Sequence, residues 1–144
     1  MQQEDLNRFV EAQKGDYETA LAEIKAGKKR SHWMWYIFPQ MAGLGFSALS
    51  KKYGIRDLGE ARAYLAHPLL GPRLVAVSRQ LLQLPGNNAT QIFGSPDDLK
   101  LRSCLTLFAL ASPAHEVFNL VLSKFFDGKK DPHTLAFLKE ADKS

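Results

Sequence analysis

The amino-acid sequence predicts an all-α fold, a compact single-domain bundle of about seven to eight short helices with no significant sheet. Apolar residues recur at helical spacing along most of the chain, and helix start and stop signals separate the segments. The one strand candidate is the short aromatic run "WMWYIF", which has no partner strand with which to form a sheet. The 144 residues have the usual length of one domain, so we expect a single domain over 1–144 with an ordered core at about 5–140.

Glycine marks the ends of the first two predicted helices. An apolar stripe over residues 6–13 predicts a short helix that Gly15 ends. Asp16 is a suitable N-cap for a second helix over 17–24, which Gly27 stops.

Loop signals and then a helix follow the aromatic run. Pro39 disfavours helix immediately before it, and Gly43 and Gly45 indicate a loop. Residues 46–53 are predicted to form a helix that Gly54 closes.

Two helices are predicted in the middle of the chain. Asp57 and Glu60 have the spacing of a capping box and predict a short helix, which His67-Pro68 breaks. Leucine and valine at helical spacing over 70–82 predict a longer helix, with Pro72 near its first turn.

The last third of the chain carries the clearest helix starts. Residues 89–93 fit one or two turns, and Ser95 as N-cap with Pro96 in the first position predicts the next helix. Pro113 opens a further helix, and Asp131-Pro132 caps the last one.

Composition and charge set broad limits on function. Hydrophobic residues make up 45% and charged residues 24%, which is typical of a globular domain. The net charge of +4 and pI of about 9.2 permit an anionic ligand without requiring one. The polar N-terminus and the lack of an apolar run of ~20 residues predict a soluble, cytoplasmic protein with no membrane segment.

Metal and cofactor motifs are missing from the sequence. The histidines are not paired at helical spacing, no Cys-x-x-Cys occurs, and "GLGFS" lacks the third glycine of a dinucleotide fingerprint. We therefore predict no metal and no cofactor. The single cysteine, Cys104, lies on an apolar helical stripe and is predicted to be an inert core thiol.

The segment "SHWMWYIFPQ" is the first candidate for a binding site. Neighbouring rings point in different directions in a helix or a strand, so some of them must face an edge or a groove. His32, Trp35 and Gln40 would hold a planar, polar ligand such as a nucleotide-like molecule.

The segment "SPDDLKLRS" is the second candidate. Its local chemistry predicts a capping box between Ser95 and Asp98 and an ion pair between Asp98 and Arg102. Lys100 and Arg102 flank the buried stripe and would bind an anionic group, for which the guanidinium offers a bidentate fork.

Candidate catalytic residues are His32 and Asp97, with Asp97 as the carboxylate that could act as a base. Two alternatives remain open. The basic segment Lys28 to Arg30 beside exposed aromatic rings would suit a protein- or nucleic-acid-binding module, and the motifs could be purely structural. Whether the chain is an enzyme and its oligomeric state are left open by the sequence.

Four motifs in order resemble one known family: "KKRSHWMWYIFPQMAGLG", "YLAHPLLGPRL", "IFGSPDDLKLRSCLTLF" and "DPHTLAFL". Together they are similar to domain-of-unknown-function family 1810, from about Asp5 to Leu138. The resemblance implies a small, single-domain, all-α fold, and it implies no particular activity.

Overall fold

Ten helices make up the regular structure of the computed structural model, which describes residues 2–45 and 47–143. Their bounds are α1 (Gln2–Gln13), α2 (Tyr17–Lys25), α3 (Met34–Ile37), α4 (Ala48–Tyr53), α5 (Leu58–Ala66), α6 (Leu70–Gln83), α7 (Ala89–Phe93), α8 (Asp97–Ala111), α9 (Glu116–Phe126) and α10 (Pro132–Lys143). Within these ranges there is no strand, and one isolated parallel bridge pairs Met41 with Ile55. The predicted all-α class is therefore confirmed. The number of helices exceeds the expected seven to eight because α3, α4 and α7 span only four to six residues each.

The predicted helix start at Asp57 is confirmed. Asp57 accepts a hydrogen bond from the Glu60 N–H at 2.8 Å, and the Glu60 carboxylate accepts one from the Arg56 N–H at 2.8 Å. Phe46, the first residue of one predicted helix, lies outside the described residues, and α4 begins after Ser47, which caps the Ser50 N–H. The cap at Asp57 depends on a residue close in sequence, which is why the sequence predicts it, whereas the cap at Ser47 was not predicted.

The predicted start of α8 is wrong in its details. Pro96 occupies the N-cap position, so Ser95 lies one residue too early and no side chain caps the helix. The Asp98 N–H bonds to the Gly94 carbonyl at 2.9 Å, and the Asp98 carboxylate accepts from Thr90 Oγ1 at 2.5 Å. The capping box between Ser95 and Asp98 does not form.

Two other helix starts also differ from expectation. Asp16 precedes α2 as predicted, but its carboxylate makes no cap and accepts from the Tyr36 hydroxyl instead. Helix α9 begins at Glu116 rather than Pro113, because Ser112 and His115 bond side chain to side chain at 2.6 Å and hold the preceding residues in a turn.

Helix α8 lies at the centre of the fold, in contact with α5, α7, α9 and α10. Its side chains are buried over most of its length, and burial raises the pKa of the Cys104 thiol well above its usual value. Cys104 is therefore a core residue, as expected. A chain of ring contacts at 5.1 to 5.9 Å crosses the core from α1 through α5 and α8 to α9, formed by Phe9, Tyr64, Phe108 and Phe118.

A buried amide ties four helices together. Gln13 on α1 donates to the Tyr36 carbonyl at 2.8 Å and to the Tyr64 hydroxyl at 3.1 Å, and it accepts from Arg73 on α6 at 3.2 Å. Because a buried amide must be hydrogen-bonded to be tolerated, this network fixes how α1, α3, α5 and α6 meet. None of the helices in the described ranges is long and apolar enough to cross a membrane.

The junction between α5 and α6 leaves no room for a side chain at Gly71. A Cβ built there would lie 2.0 Å from the Leu65 carbonyl oxygen. We expect Gly71→Ala to lower the free energy of unfolding by more than about 2 kcal/mol, since backbone must shift to relieve the overlap. Urea denaturation measures this loss. Gly15→Ala is the control, because a Cβ at Gly15 meets nothing within 4 Å; equal stability of the two variants would contradict the prediction.

Candidate functional site

The carboxylate of Glu23 on α2 organises the segment that leads into the aromatic run. It accepts hydrogen bonds from the backbone N–H groups of Arg30 and Ser31 at 2.8 and 3.0 Å. It also accepts from Ser31 Oγ at 2.6 Å and from Trp33 Nε1 at 2.9 Å. Burial raises the pKa of Glu23, but these hydrogen bonds outweigh it and lower the pKa to about 2.

The hydrogen bond from Trp33 to Glu23 directs the indole into the core, and the position of Trp33 sets the orientation of α3, which follows it. Trp33 is fully buried against Phe38 and Phe93. Met34 and Ile37 of α3 are buried too, whereas Trp35 and Tyr36 are half-buried. The prediction that neighbouring rings diverge is confirmed.

Gln40 is fixed by the loop that follows α3. The Ile55 N–H donates to the Gln40 carbonyl at 2.9 Å, and the Ala42 N–H donates to the Ile55 carbonyl at 2.7 Å. Gln40 is only 8% exposed, and its side-chain amide makes no hydrogen bond to any described residue. Further along the loop, Gly43 has a φ of 95° and a Cβ there would lie 3.0 Å from the Phe137 ring, so glycine lets the loop approach α10.

Charged side chains join this segment to α8. Asp97 bonds to Lys29 Nζ at 2.9 Å and to Lys100 Nζ at 3.0 Å. The Lys100 ammonium also lies 4.1 Å from the centroid of the Trp35 ring, a cation–π contact. Burial raises the pKa of Asp97, but the hydrogen bonds and charges of Lys29 and Lys100 outweigh it, and the net pKa is lowered. The two motifs singled out in the sequence therefore meet in space.

Arg102 holds the loop between α9 and α10. Its guanidinium donates to the carbonyls of Lys129 and Lys130, each at 2.8 Å. The predicted ion pair between Asp98 and Arg102 is wrong, because both side chains are engaged elsewhere. Two of the five guanidinium N–H groups are used in this way, and the others have no partner among the described residues.

Asp131 connects the same loop to α8. Its Oδ2 accepts from Ser103 Oγ at 3.1 Å, from the Thr134 N–H at 3.0 Å and from Thr134 Oγ1 at 2.6 Å. The Asp131 N–H donates to Thr106 Oγ1 at 2.9 Å. Asp131 thus caps α10, as the sequence predicts, and fixes its N-terminal turn against α8.

The region from α3 to the loop after it, the first half of α8 and the start of α10 enclose an open cavity of about 660 Å³. Its apolar lining residues are Trp35, Leu44, Pro96, Leu99, Pro132 and Phe137, next to Gly43 and Gly45. Its polar lining residues are Gln40, Lys100, Arg102, Ser103, Asp131 and His133. Among the residues that the structure describes, no cluster of three or more His, Cys, Asp or Glu side chains is arranged to hold a metal ion.

Four of the predicted ligand-binding residues line this cavity: Trp35, Gln40, Lys100 and Arg102. His32 is exposed and does not line it, and Asp97, which pairs with Lys29 and Lys100, does not line it either. The sequence reasoning missed Asp131, His133 and Phe137. They lie in the motif "DPHTLAFL", from which the sequence predicts a helix start and the family resemblance but no binding residue.

Comparison with known proteins identifies the family of this chain and one solved structure that is similar to it. The chain belongs to the family described as "Protein of unknown function (DUF1810)", which matches residues 3–138, so the family resemblance is confirmed. It is similar to the conserved hypothetical protein Rv1873 from Mycobacterium tuberculosis, whose crystal structure was determined at 1.38 Å. The two share 50% sequence identity and superpose with a TM-score of 0.92, over 94% of this chain and 96% of that one. No curated protein matches the sequence.

The hydrogen bonds to Glu23 generate a prediction about stability and pH. We expect Glu23→Gln to lower the free energy of unfolding at pH 7 by about 1–3 kcal/mol, because an amide cannot accept all four bonds. The folded-state pKa lies below the ordinary value of 4.5, so the stabilisation is present above pH 4.5 and is lost as the pH falls toward 2. Urea denaturation between pH 3 and 7 should show this slope in the wild type and a weaker slope in the variant. Glu11→Gln, a change at an exposed site, is the control; an unchanged slope in Glu23→Gln would refute the assignment.

The carbonyl contacts of Arg102 generate a second prediction. Arg102→Met should lower the free energy of unfolding by about 1–3 kcal/mol, since two carbonyls lose charged donors. It should also raise hydrogen exchange in the loop before α10. Arg102→Lys should restore only part of the stability, because one ammonium lacks the geometry of the guanidinium fork. Wild-type stability in Arg102→Met would show that the loop is held by other contacts.

Proposed function

We propose that the cavity binds a small planar molecule that carries an anionic group, such as a nucleotide-like compound. The observation that supports this most is Gln40. It lines the cavity and is 8% exposed, yet its amide has no intramolecular partner in the described chain. Because the amide lines the open cavity, solvent reaches it there, and its N–H donors and carbonyl acceptor are available to a ligand.

The remaining lining suits both parts of such a ligand. Trp35, Phe137 and Leu99 offer apolar surface for a ring, and Leu99 and Phe137 stay exposed at the rim. Lys100 and Arg102 offer cationic donors for a phosphate or carboxylate. The volume of about 660 Å³ lies within the usual range of small-molecule sites.

Binding is the activity that this lining supports. We assign no catalytic role to His32 or Asp97, since neither lines the cavity. Two lysines also hold the Asp97 carboxylate and lower its pKa, which weakens it as a base. A nucleotide-like ligand would agree with the cytoplasmic location expected from the sequence.

The nucleic-acid alternative has less support. Of the three cations from Lys28 to Arg30, Lys29 points inward and its side chain is only 8% exposed. Lys28 and Arg30 remain at the surface. Two exposed cations make a small electrostatic footprint compared with the clusters of basic residues that nucleic-acid-binding surfaces present.

Thermal-shift screening against nucleotides, sugars and amino-acid derivatives tests the proposal. A ligand at 100 times its Kd should add about 2.7 kcal/mol to the free energy of unfolding, which is readily measured. We expect Gln40→Met to weaken binding of the best compound roughly tenfold while leaving the unliganded protein as stable as the wild type, because no intramolecular hydrogen bond is lost.

Gln91→Met, at an exposed glutamine outside the cavity, is the matched control and should leave the affinity unchanged. The proposal fails if no compound of any class raises the Tm. It fails equally if Gln40→Met lowers stability and leaves binding intact.

A further inference from the structure

Two ammonium groups share one carboxylate at the edge of the cavity. Lys29 lies 2.9 Å from one oxygen of Asp97, and Lys100 lies 3.0 Å from the other. The side chains of Lys29, Asp97 and Lys100 are 8%, 19% and 21% exposed, so water reaches this cluster only in part. Since Lys29 alone balances the charge of Asp97, one positive charge has no counter-ion within the described parts of the chain. Its partial burial raises its affinity for an added anion.

The two lysines differ in how firmly they are held. The Lys29 backbone N–H donates to the Ile92 carbonyl at 2.7 Å, and its ammonium bonds to the Ser31 carbonyl as well as to Asp97. Among the residues that the structure describes, Lys100 bonds only to Asp97, and its ammonium otherwise lies over the face of the Trp35 ring, 4.1 Å from the centroid. Lys100 can therefore leave Asp97 without leaving that carboxylate unpaired.

The position of Lys100 also controls access to Trp35. Both residues line the cavity, and the ammonium covers one face of the indole ring. A planar ligand that stacks on this face must displace the ammonium. A ligand with an anionic group gives Lys100 a new partner, whereas a neutral ligand of the same shape gives it none.

We infer that Lys100 determines the specificity of the cavity, by exchanging its contact with Trp35 for one with the anionic group of the ligand. This inference rests on the proposed function. The ring of the ligand replaces the ammonium on Trp35, the ammonium moves to the phosphate or carboxylate, and Lys29 keeps Asp97 paired. Arg102 contributes a fixed charge, because two carbonyls hold its guanidinium in place.

Matched pairs of compounds test this exchange: AMP against adenosine, and benzoate against benzamide, measured by isothermal titration calorimetry. The wild type should prefer the anionic member of a pair by tenfold or more, as one charge-assisted hydrogen bond allows. In Lys100→Met the affinity for the anion should fall about tenfold. The affinity for the neutral member should stay the same or rise, because the face of Trp35 is no longer covered by a charge. Lys129→Met removes a charge from an exposed side chain near the cavity and should leave the preference unchanged.

Tryptophan fluorescence provides a second measurement that does not depend on affinity. The spectrum of Trp35→Phe subtracted from that of the wild type isolates the emission of Trp35. Lys100→Met should alter this difference spectrum in the unliganded protein, and AMP should alter it in the wild type.

The outcomes separate the two proposals. If the wild type binds both members of each pair equally, or if Lys100→Met leaves the preference intact, Lys100 is not the selecting residue and the cavity remains a ligand site. If neither the probe pairs nor the screened compounds bind the wild type, the proposed function fails and this inference fails with it.

Discussion

The carboxylate of Glu23 is the constraint on which one wall of the cavity depends. Residues 28–33 lie outside regular secondary structure, so their peptide groups need partners other than a helix. Glu23 supplies them for Arg30 and Ser31, and through the same oxygen it directs the Trp33 indole into the core. Trp33 is buried against Phe93, and Met34 and Ile37 of the single turn of α3 are buried on the same side as the core. Trp35 then lies at the cavity.

The other walls are joined by side chains rather than by a sheet. Asp97 links the segment after α2 to the start of α8 through Lys29. Arg102 and Asp131 link α8 to the loop before α10, each with a bond between a side chain and the backbone of the partner segment. Beneath these contacts α8 is buried on most sides and acts as a rigid support. Polar contacts at the surface of a packed helix thus define the cavity, while the hydrophobic core defines the fold.

The parts of this arrangement that the sequence predicts are those set by neighbours in the chain. The cap of Asp57 on the Glu60 N–H and the cap of Asp131 on the Thr134 N–H depend on spacings of three residues, and both are present. The cap expected at Ser95 fails because Pro96 takes its place. Contacts between segments distant in the chain are harder to predict from the sequence. His32 is exposed, while its neighbours Ser31 and Trp33 are held by Glu23 on α2, a contact that no local pattern reveals.

The candidate site residues also divide into those that a local pattern indicates and those that it does not. An aromatic run with divergent rings and a helix with surplus charges were sufficient to single out Trp35, Gln40, Lys100 and Arg102. His133 and Phe137 were missed because a helix start accounts for the residue types in their motif. No residue of the motif therefore indicated a binding role.

The bridge between the loop after α3 and Ile55 has a consequence for the order in which the chain folds. It closes a short loop within the first half of the chain, whereas the cavity needs contacts between the first and last thirds. Contacts between distant segments form late, because closing a long loop costs more entropy. The peptide backbone of Gln40 can therefore be in place before α10 has docked. During synthesis the lining of the cavity is complete only after the ribosome has released the residues of α10, which supply Pro132, His133 and Phe137.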